Sequence, residues 1–217
     1  MGLRLNETVP NFTAMTDQGE ITFHDWIGDS YALLFSHPKD FTPVCTTEFG
    51  AVAQRAEQWA ERGVKVIGLS VDGVDEHQQW KADIEKFSGS KATFPIIADT
   101  DLAVSKALDM LPAEAYLPDG RTAADSATVR ATFLVGPDKK IRFMLIYPMS
   151  VGRDFNEIIR AVDAVLATDK APIATPAGWK PGDDVIIGLG VDDAEAKEKF
   201  GDYDAVLPYL RLTKAPA

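Results

Sequence analysis

The apolar positions of this chain fall into short runs separated by amphipathic stretches. "YALLFSHP" is an apolar run that ends in proline and predicts a buried strand. From Thr42 onward, Phe49, Val52, Ala53, Ala56, Trp59 and Ala60 recur at helical spacing, and Gly63 closes the helix. "VKVIGLSV" is continuous and β-branched, the pattern of a strand inside a sheet. "DEHQQWKADIEKF" predicts a helix, "FPIIAD" another buried strand, and "DLAVSKAL" a short helix. "TVRATFLV" and "IRFMLIY" flank "GPDKK", whose turn chemistry predicts a β-hairpin. "GRDFNEIIRAVDAVLAT" is the last long amphipathic helix.

The order β-α-β-α-β-α, then hairpin, then helix, implies an α/β sandwich around a mixed central sheet with an antiparallel hairpin on one side. After Thr168 the texture changes to "DKAPIATPAGWKPGDDVIIGLG", where proline and glycine dominate. Only a strand at "DVIIGL" and a helix at "DDAEAKEKF" stand out there. The chain therefore divides into a main domain over residues 1–167 and a small extension over 168–217. The extension has too few apolar residues to fold alone and must dock on the main domain or on another subunit.

Composition removes several classes of function. The 217 residues carry 22 Lys+Arg against 33 Asp+Glu, a formal charge of −11. That charge repels phosphate backbones and argues against a nucleic-acid partner. No run reaches the roughly 18 uninterrupted apolar residues of a membrane helix, so no membrane insertion is expected. The start, "MGLRLNETVPNFTAMTDQGE", lacks the apolar segment of a secretory signal, and a cytoplasmic protein is the expectation. The single cysteine excludes an intrachain disulfide, CxxC redox chemistry and cysteine-cluster zinc sites. His24, His37 and His77 show no metal-binding spacing, so neither metal nor cofactor is expected.

That lone cysteine sits in "HPKDFTPVCTTEFG", just after the end of a buried strand. Thr42 is a natural N-cap, Pro43 takes the first helical position, and Cys45 becomes the third helical residue. Its backbone N–H is one of the unpaired first-turn donors, and the positive end of the helix dipole faces its sulfur. Such positions favour the nucleophilic thiolate. The Thr42 hydroxyl, one turn back, is within reach of the sulfur or its substrate. A lone cysteine is by default a small buried hydrophobe. The cap, the proline and the carboxyl end of a strand, where ligand sites of α/β sheets form, point instead to a nucleophile.

The stretch "HPKDFTPVCTTE" resembles the peroxidatic motif of the peroxiredoxins, PxxxTxxC, met here by Pro38, Thr42 and Cys45. "LFSHP", "PVCTTE", "GPDKK", "YP" followed by "GRDFNEIIR", "TPAGWKPGDDV" and "YLR" resemble the 1-Cys subfamily and span nearly the whole chain. The resemblance implies a thioredoxin-like sandwich with a mixed central sheet, plus a C-terminal extension that helps build a homodimer. It implies a peroxidase in which Cys45 attacks the O–O bond of a hydroperoxide and becomes a sulfenic acid. Thr42, the Cys45 N–H and Arg130 of "ATVRATFLV" would then stabilise the leaving oxygen. Pro38 would shield the thiolate, His37 and Glu48 would shape the pocket, and Arg153 would join Glu48 and Arg130 in a charge network. With no second cysteine, an external thiol or other reductant must restore the enzyme.

Taken without the resemblance, these positions have plainer readings. Arg130, near the start of an apolar strand, reads as an edge residue facing water. Glu48 reads as a first-turn acid favouring the helix dipole, Arg153 as an exposed residue near a helix start, and His37 as a buried, hydrogen-bonded histidine. Two rival functions stand beside the peroxidase. The resemblance also carries a phospholipase-like hydrolase with Ser30, His24 and Asp138 as its triad. Against it, "GDSYA" lacks the final glycine of GxSxG, and Ser30 and Asp138 sit in turns. A redox sensor or chaperone-like oligomer would use the same cysteine with slow turnover.

Overall fold

The computed structural model describes residues 3–113 and 126–216. The described chain separates into two compact units, Met1–Arg153 and Asp154–Ala217. The division falls ahead of the long amphipathic helix rather than after it, so that helix clusters with the C-terminal segment.

The N-terminal unit begins with strands β1 (Thr13–Thr16) and β2 (Gly19–Thr22) and a short helix α1 (Phe23–Ile27). Strand β3 (Tyr31–Ser36), helices α2 (Pro43–Ala53) and α3 (Ala56–Glu61), and strand β4 (Val64–Ser70) follow. Then come α4 (Val74–Ser88), β5 (Ile96–Ala98), α5 (Ala103–Ala107), β6 (Arg130–Val135) and β7 (Ile141–Tyr147). The sheet runs β2-β1-β5-β4-β3-β6-β7. Pairs β3–β4 and β4–β5 are parallel, and β3–β6, β6–β7, β1–β2 and β1–β5 are antiparallel. This is the mixed sheet expected from the element order. The β1–β2 hairpin has no expectation behind it, because its two four-residue strands carry little apolar alternation. Gly19, at φ +108, makes its turn in a conformation that favours glycine.

The central strands are apolar on both faces because helices or loops cover both. One core gathers Ala32, Leu34, Ile67, Leu69, Phe133 and Val135 with α1. On the side of α2 and α4, Phe35, Phe49, Trp80 and Phe94 form a chain of ring contacts, with centroids 4.7–5.9 Å apart. Gly68 in β4 makes this possible. A Cβ there would lie 2.9 Å from Phe49 Cζ, so only glycine lets α2 press its phenylalanine flat onto the sheet. Burial of a side chain such as Phe49 or Trp80 stabilises by about 1.5–3 kcal/mol.

The single helix predicted from Thr42 to Gly63 is two. It breaks at Gln54–Arg55, where Arg55 leaves helical geometry at φ −105, ψ 19. The Val52 carbonyl accepts from the Arg55 backbone N–H (3.1 Å) and from the Trp59 indole (3.2 Å). The break lets Trp59 bury its ring, and that contact outweighs helical continuity.

The C-terminal unit holds α6 (Phe155–Lys170), β8 (Ile173–Ala174), β9 (Val185–Ile187), α7 (Asp193–Phe200), β10 (Asp204–Leu207) and β11 (Leu210–Thr213). Its strands form an antiparallel sheet in the order β10-β11-β9-β8. Ile173, Trp179 and Val185 pack with Ala164 and Ala167 of α6. Arg211 fastens the rest, donating to the Gly188 and Val191 carbonyls and pairing with Asp193 at 2.8 Å. Among the described residues no helix is long and apolar enough to cross a membrane.

Candidate active site

Cys45 is a free thiol, fully buried at the third position of α2. Pro43 opens the helix, and the first-turn N–H groups have no intrahelical acceptor. Thr42 takes the N-cap position but does not cap with its side chain. Its hydroxyl donates to the Lys39 carbonyl at 2.8 Å. The cause is Phe41, which adopts φ +54 and folds the loop back so that the Lys39 carbonyl comes within reach. A left-handed conformation costs a non-glycine residue about 1–2 kcal/mol. Among the described residues no group donates to the Thr42 hydroxyl.

Arg130, at the start of β6, places Nη1 at 3.4 Å from Cys45 Sγ. The same nitrogen donates to Glu48 Oε2 at 2.7 Å, and Nε donates to the Met149 carbonyl at 2.8 Å. Arg130 is 2% exposed, so the expectation of an edge arginine facing water fails. The carboxylate, the thiol and the carbonyl supply what water would have supplied. Among the described residues Arg130 Nη2 has no hydrogen-bond partner.

Glu48 lies beyond the first turn of α2, which contains no acid, so its reading as a dipole partner also fails. It is instead the shared anion of two arginines. Arg153 grips it with its backbone N–H (2.8 Å), Nε (2.9 Å) and Nη2 (2.7 Å), and sends Nη1 to the Ala131 carbonyl and Thr132 Oγ1. Arg153 is buried, not exposed, and lies over the Phe35 ring. Burial pushes the Glu48 carboxyl up. The Arg153 hydrogen bonds and charge, with Arg130 behind them, outweigh this and hold it below the usual carboxylate range.

A second buried carboxylate, on the loop that precedes α2, was not legible as a site residue. Asp40 Oδ1 lies 2.6 Å from His37 Nε2, and its Oδ2 lies 2.6 Å from His77 Nδ1 of α4. The Asp40 backbone N–H donates to Asp72 Oδ2 (2.8 Å), which also accepts from Ser70 Oγ (2.8 Å). Burial pushes Asp40 up, but the two imidazoles outweigh it and the carboxyl stays below its usual range. Burial pushes His37 down, and Asp40 opposes this without overcoming it. Its Nε2 faces the Asp40 carboxylate, the ring stacks on Trp80, and Nδ1 has no hydrogen-bond partner among the described residues. Asp40 lies 37 residues from His77 and 32 from Asp72, and no local motif joins them.

A cleft of about 790 Å³ lies beside this loop, lined by Pro38, Phe41, Thr42, Val71, Asp72 and Ser126 among others. His37, Asp40 and Asp72 place ligand-type atoms within 4.8 Å of one another. Both Asp40 carboxylate oxygens and Asp72 Oδ2 are already engaged in hydrogen bonds within the protein. The residues of the rival triad are turned elsewhere. His24 Nε2 lies 2.8 Å from the Val9 carbonyl, and Asp138 pairs with Arg142 at 3.0 Å. No hydrogen bond joins Ser30, His24 and Asp138 among the described residues.

Comparison with known proteins places this geometry. Residues 5–144 match the AhpC/TSA family, and residues 164–202 match the C-terminal domain of 1-Cys peroxiredoxin. Yeast mitochondrial peroxiredoxin PRX1 (Saccharomyces cerevisiae) is 47% identical over 98% of this chain and 81% of its own. Wheat (Triticum aestivum) 1-Cys peroxiredoxin PER1 is 46% identical over 98% and 99%. The chain belongs to the 1-Cys peroxiredoxins. Peroxiredoxin-6 of chicken (Gallus gallus) is 44% identical over 99% of both chains. The solved peroxiredoxin 6 of Arenicola marina superimposes with a TM-score of 0.91 at 43% identity, covering 99% of each chain. A yeast mitochondrial 1-Cys peroxiredoxin, whose thiol resolving runs via the glutathione/thioredoxin systems, gives 0.89 at 46% identity, covering 98% of this chain and 99% of its own. The thioredoxin-like fold with a C-terminal extension and the thiol peroxidase activity of a 1-Cys peroxiredoxin follow from these likenesses.

Proposed function

We propose that Cys45 is the peroxidatic nucleophile and that Arg130 and Thr42 work with it directly. The observation that carries this is the Arg130 Nη1 contact of 3.4 Å on a fully buried thiol at a helix N-terminus. The Cys45 thiolate attacks one peroxide oxygen, the O–O bond breaks, and the electron pair leaves on the distal oxygen as alkoxide or hydroxide. Protonation gives the alcohol or water, and Cys45 becomes a sulfenic acid. Arg130 Nη2 and the first-turn N–H groups face the charge that develops on the leaving oxygen. Thr42, its own proton held by Lys39, accepts the peroxide O–H and orients it.

The other residues hold this set in place. Glu48 and Arg153 fix the Arg130 guanidinium, while Pro38 and His37 wall the pocket and keep water from the thiolate. The apolar rim of Phe41, Val71 and Ala127 on the cleft supports the reduction of organic hydroperoxides as well as hydrogen peroxide. The sulfenic acid condenses with an external thiol to a mixed disulfide and water, and a second thiol releases Cys45. The glutathione/thioredoxin use of the yeast relative supports a reductant of this class. A thiol-rich compartment such as the cytoplasm suits this need.

A homodimer is the assembly proposed, supported by exposed Ile146 on the unpaired edge strand β7 and by exposed Val206, Leu207 and Tyr209 in the β10–β11 hairpin. The decisive experiment mixes reduced protein with one equivalent of hydrogen peroxide and follows tryptophan fluorescence, with mass spectrometry locating the sulfenic acid. A rate far above that of a free thiol, with the oxygen on Cys45, supports the assignment. A free-thiol rate rejects it.

A further inference from the structure

We propose that Asp40 is a positioning residue for the peroxide reaction, holding the Pro38–Thr42 loop in the shape that presents Thr42 and Cys45 to the substrate. The proposal rests on the assignment of Cys45 as the peroxidatic nucleophile. Three elements converge on this one residue. His37 comes from the end of β3, His77 from α4, and Asp72 from the segment after β4. Asp40 binds the first two with its carboxylate and the third with its backbone N–H. It is 3% exposed, although it lies in a loop.

What this clamp resists is visible in the next residue. Phe41 is 52% exposed and held at φ +54, so its own side chain gains little from packing there. The left-handed turn persists because both its sides are tied. Asp40 is fixed in front of it, and behind it the Thr42 hydroxyl is fixed on the Lys39 carbonyl. Thr46 Oγ1 then donates to the Thr42 carbonyl (2.8 Å) and accepts from the Trp80 indole (3.1 Å), whose ring stacks on His37. Release of the Asp40 carboxylate frees the turn to relax to an ordinary backbone conformation. That moves Thr42, and with it the first turn of α2. Misplacement of a reacting group by about 1 Å can cost on the order of 100-fold in rate.

The groups that face Asp40 are His37, His77 and Asp72. The test uses the full chain with Asp40→Asn, His77→Ala and His77→Asn. The last keeps a donor near the position of Nδ1. Each reduced protein is mixed with hydrogen peroxide in a stopped-flow instrument, alkylated at Cys45 with iodoacetamide, and unfolded thermally. Asp40→Asn is expected to lower the peroxide rate constant by about 100-fold while alkylation changes less than about threefold, because alkylation needs only a thiolate and no oriented substrate. His77→Ala loses more peroxide rate than His77→Asn.

A peroxide rate in Asp40→Asn within about threefold of wild type overturns the proposal. So does a parallel fall of peroxide and alkylation rates, which would mark Asp40 as mere scaffold. Should Asp40→Asn fail to fold, the His77 pair decides. Loss restored by asparagine supports the clamp, and equal loss in both overturns it. A wild-type rate no faster than a free thiol rejects the Cys45 assignment and this proposal together. A fast wild type with a fast Asp40→Asn rejects the clamp alone.

Discussion

Two buried carboxylates flank the cysteine, and they are held in opposite ways. Glu48 lies between two arginines, whose charge is permanent at any working pH. Asp40 lies between two histidines, whose charge is not. Both anions are almost wholly buried and both sit below the usual carboxylate range, after burial has pushed the other way. The Glu48 network touches the sulfur through Arg130, and under the role proposed for Cys45 it would bear on chemistry. The Asp40 network touches the loop and so bears on shape. The comparison teaches that a buried acid can serve as a fixed electrostatic support or as a conditional one, and that its partners decide which.

The harshest way to test this division is to remove the cation that faces the sulfur. Arg130→Ala is expected to lower the peroxide rate constant on the order of 10³-fold, the usual loss when a preorganised donor to a developing oxyanion is deleted. Stopped-flow fluorescence reads it, and a loss under tenfold would remove Arg130 from the chemistry. Arg153→Leu attacks the same carboxylate from the other side. It strips Glu48 of two side-chain donors, leaves the backbone N–H of residue 153 in place and a buried charge half-compensated, with an expected loss of about 3 kcal/mol in urea unfolding. If Arg153→Leu unfolds like wild type, the Glu48 network is not a support.

The peroxidatic motif made one network legible and left the other dark, for a physical reason. Cys45, Thr42 and Pro38 are close in sequence, and cap, proline and helix spacing bind them into one local pattern. Arg130 and Arg153 carry no local pattern. Read from their own neighbours they look exposed, because nothing in a strand start or a helix start announces a distant carboxylate. Only the likeness to a family placed them. His77 pairs with Asp40 across 37 residues, and α4 shows only its amphipathic spacing. The central strands and α4 were legible because burial on both faces and helical periodicity leave long signals. The β1–β2 and β10–β11 hairpins and the break at Arg55 were not. Their strands are short, or a tertiary contact such as the Trp59 indole on Val52 overrides propensity.

The conditional character of the second network predicts a pH effect of middle size. Folded His37 titrates below its unfolded value near 6.5, because burial disfavours its cation. Its contribution is therefore fully present above about pH 6.5. It falls as pH drops, since the unfolded chain then binds a proton that the folded chain refuses. The slope from one proton cannot exceed about 1.4 kcal/mol per pH unit, and urea unfolding at pH 5.5 should give less stability than at pH 7.5 through this residue. Asp40 and Glu48 are depressed carboxylates. They support the fold above the usual carboxylate range and lose effect only at lower pH, outside this window. His37→Gln, which keeps a donor toward Asp40 but cannot titrate, should flatten the difference. An unchanged difference would move its origin away from His37.

The smallest effect belongs to ion pairs that share the geometry of these networks but not their burial. Lys199 and Glu195 in α7 lie 2.6 Å apart, as close as Asp40 and its histidines, yet both side chains are well exposed. Water screens the pair, and holding two long side chains together costs entropy. Glu195→Gln is therefore expected to change urea unfolding by less than about 0.5 kcal/mol, and by less still in high salt. A loss comparable to that of Arg153→Leu would mean that distance, rather than burial and the number of donors, sets the strength of these contacts. The contrast between Glu48 and Asp40 would then need a different physical basis from the one their partners provide.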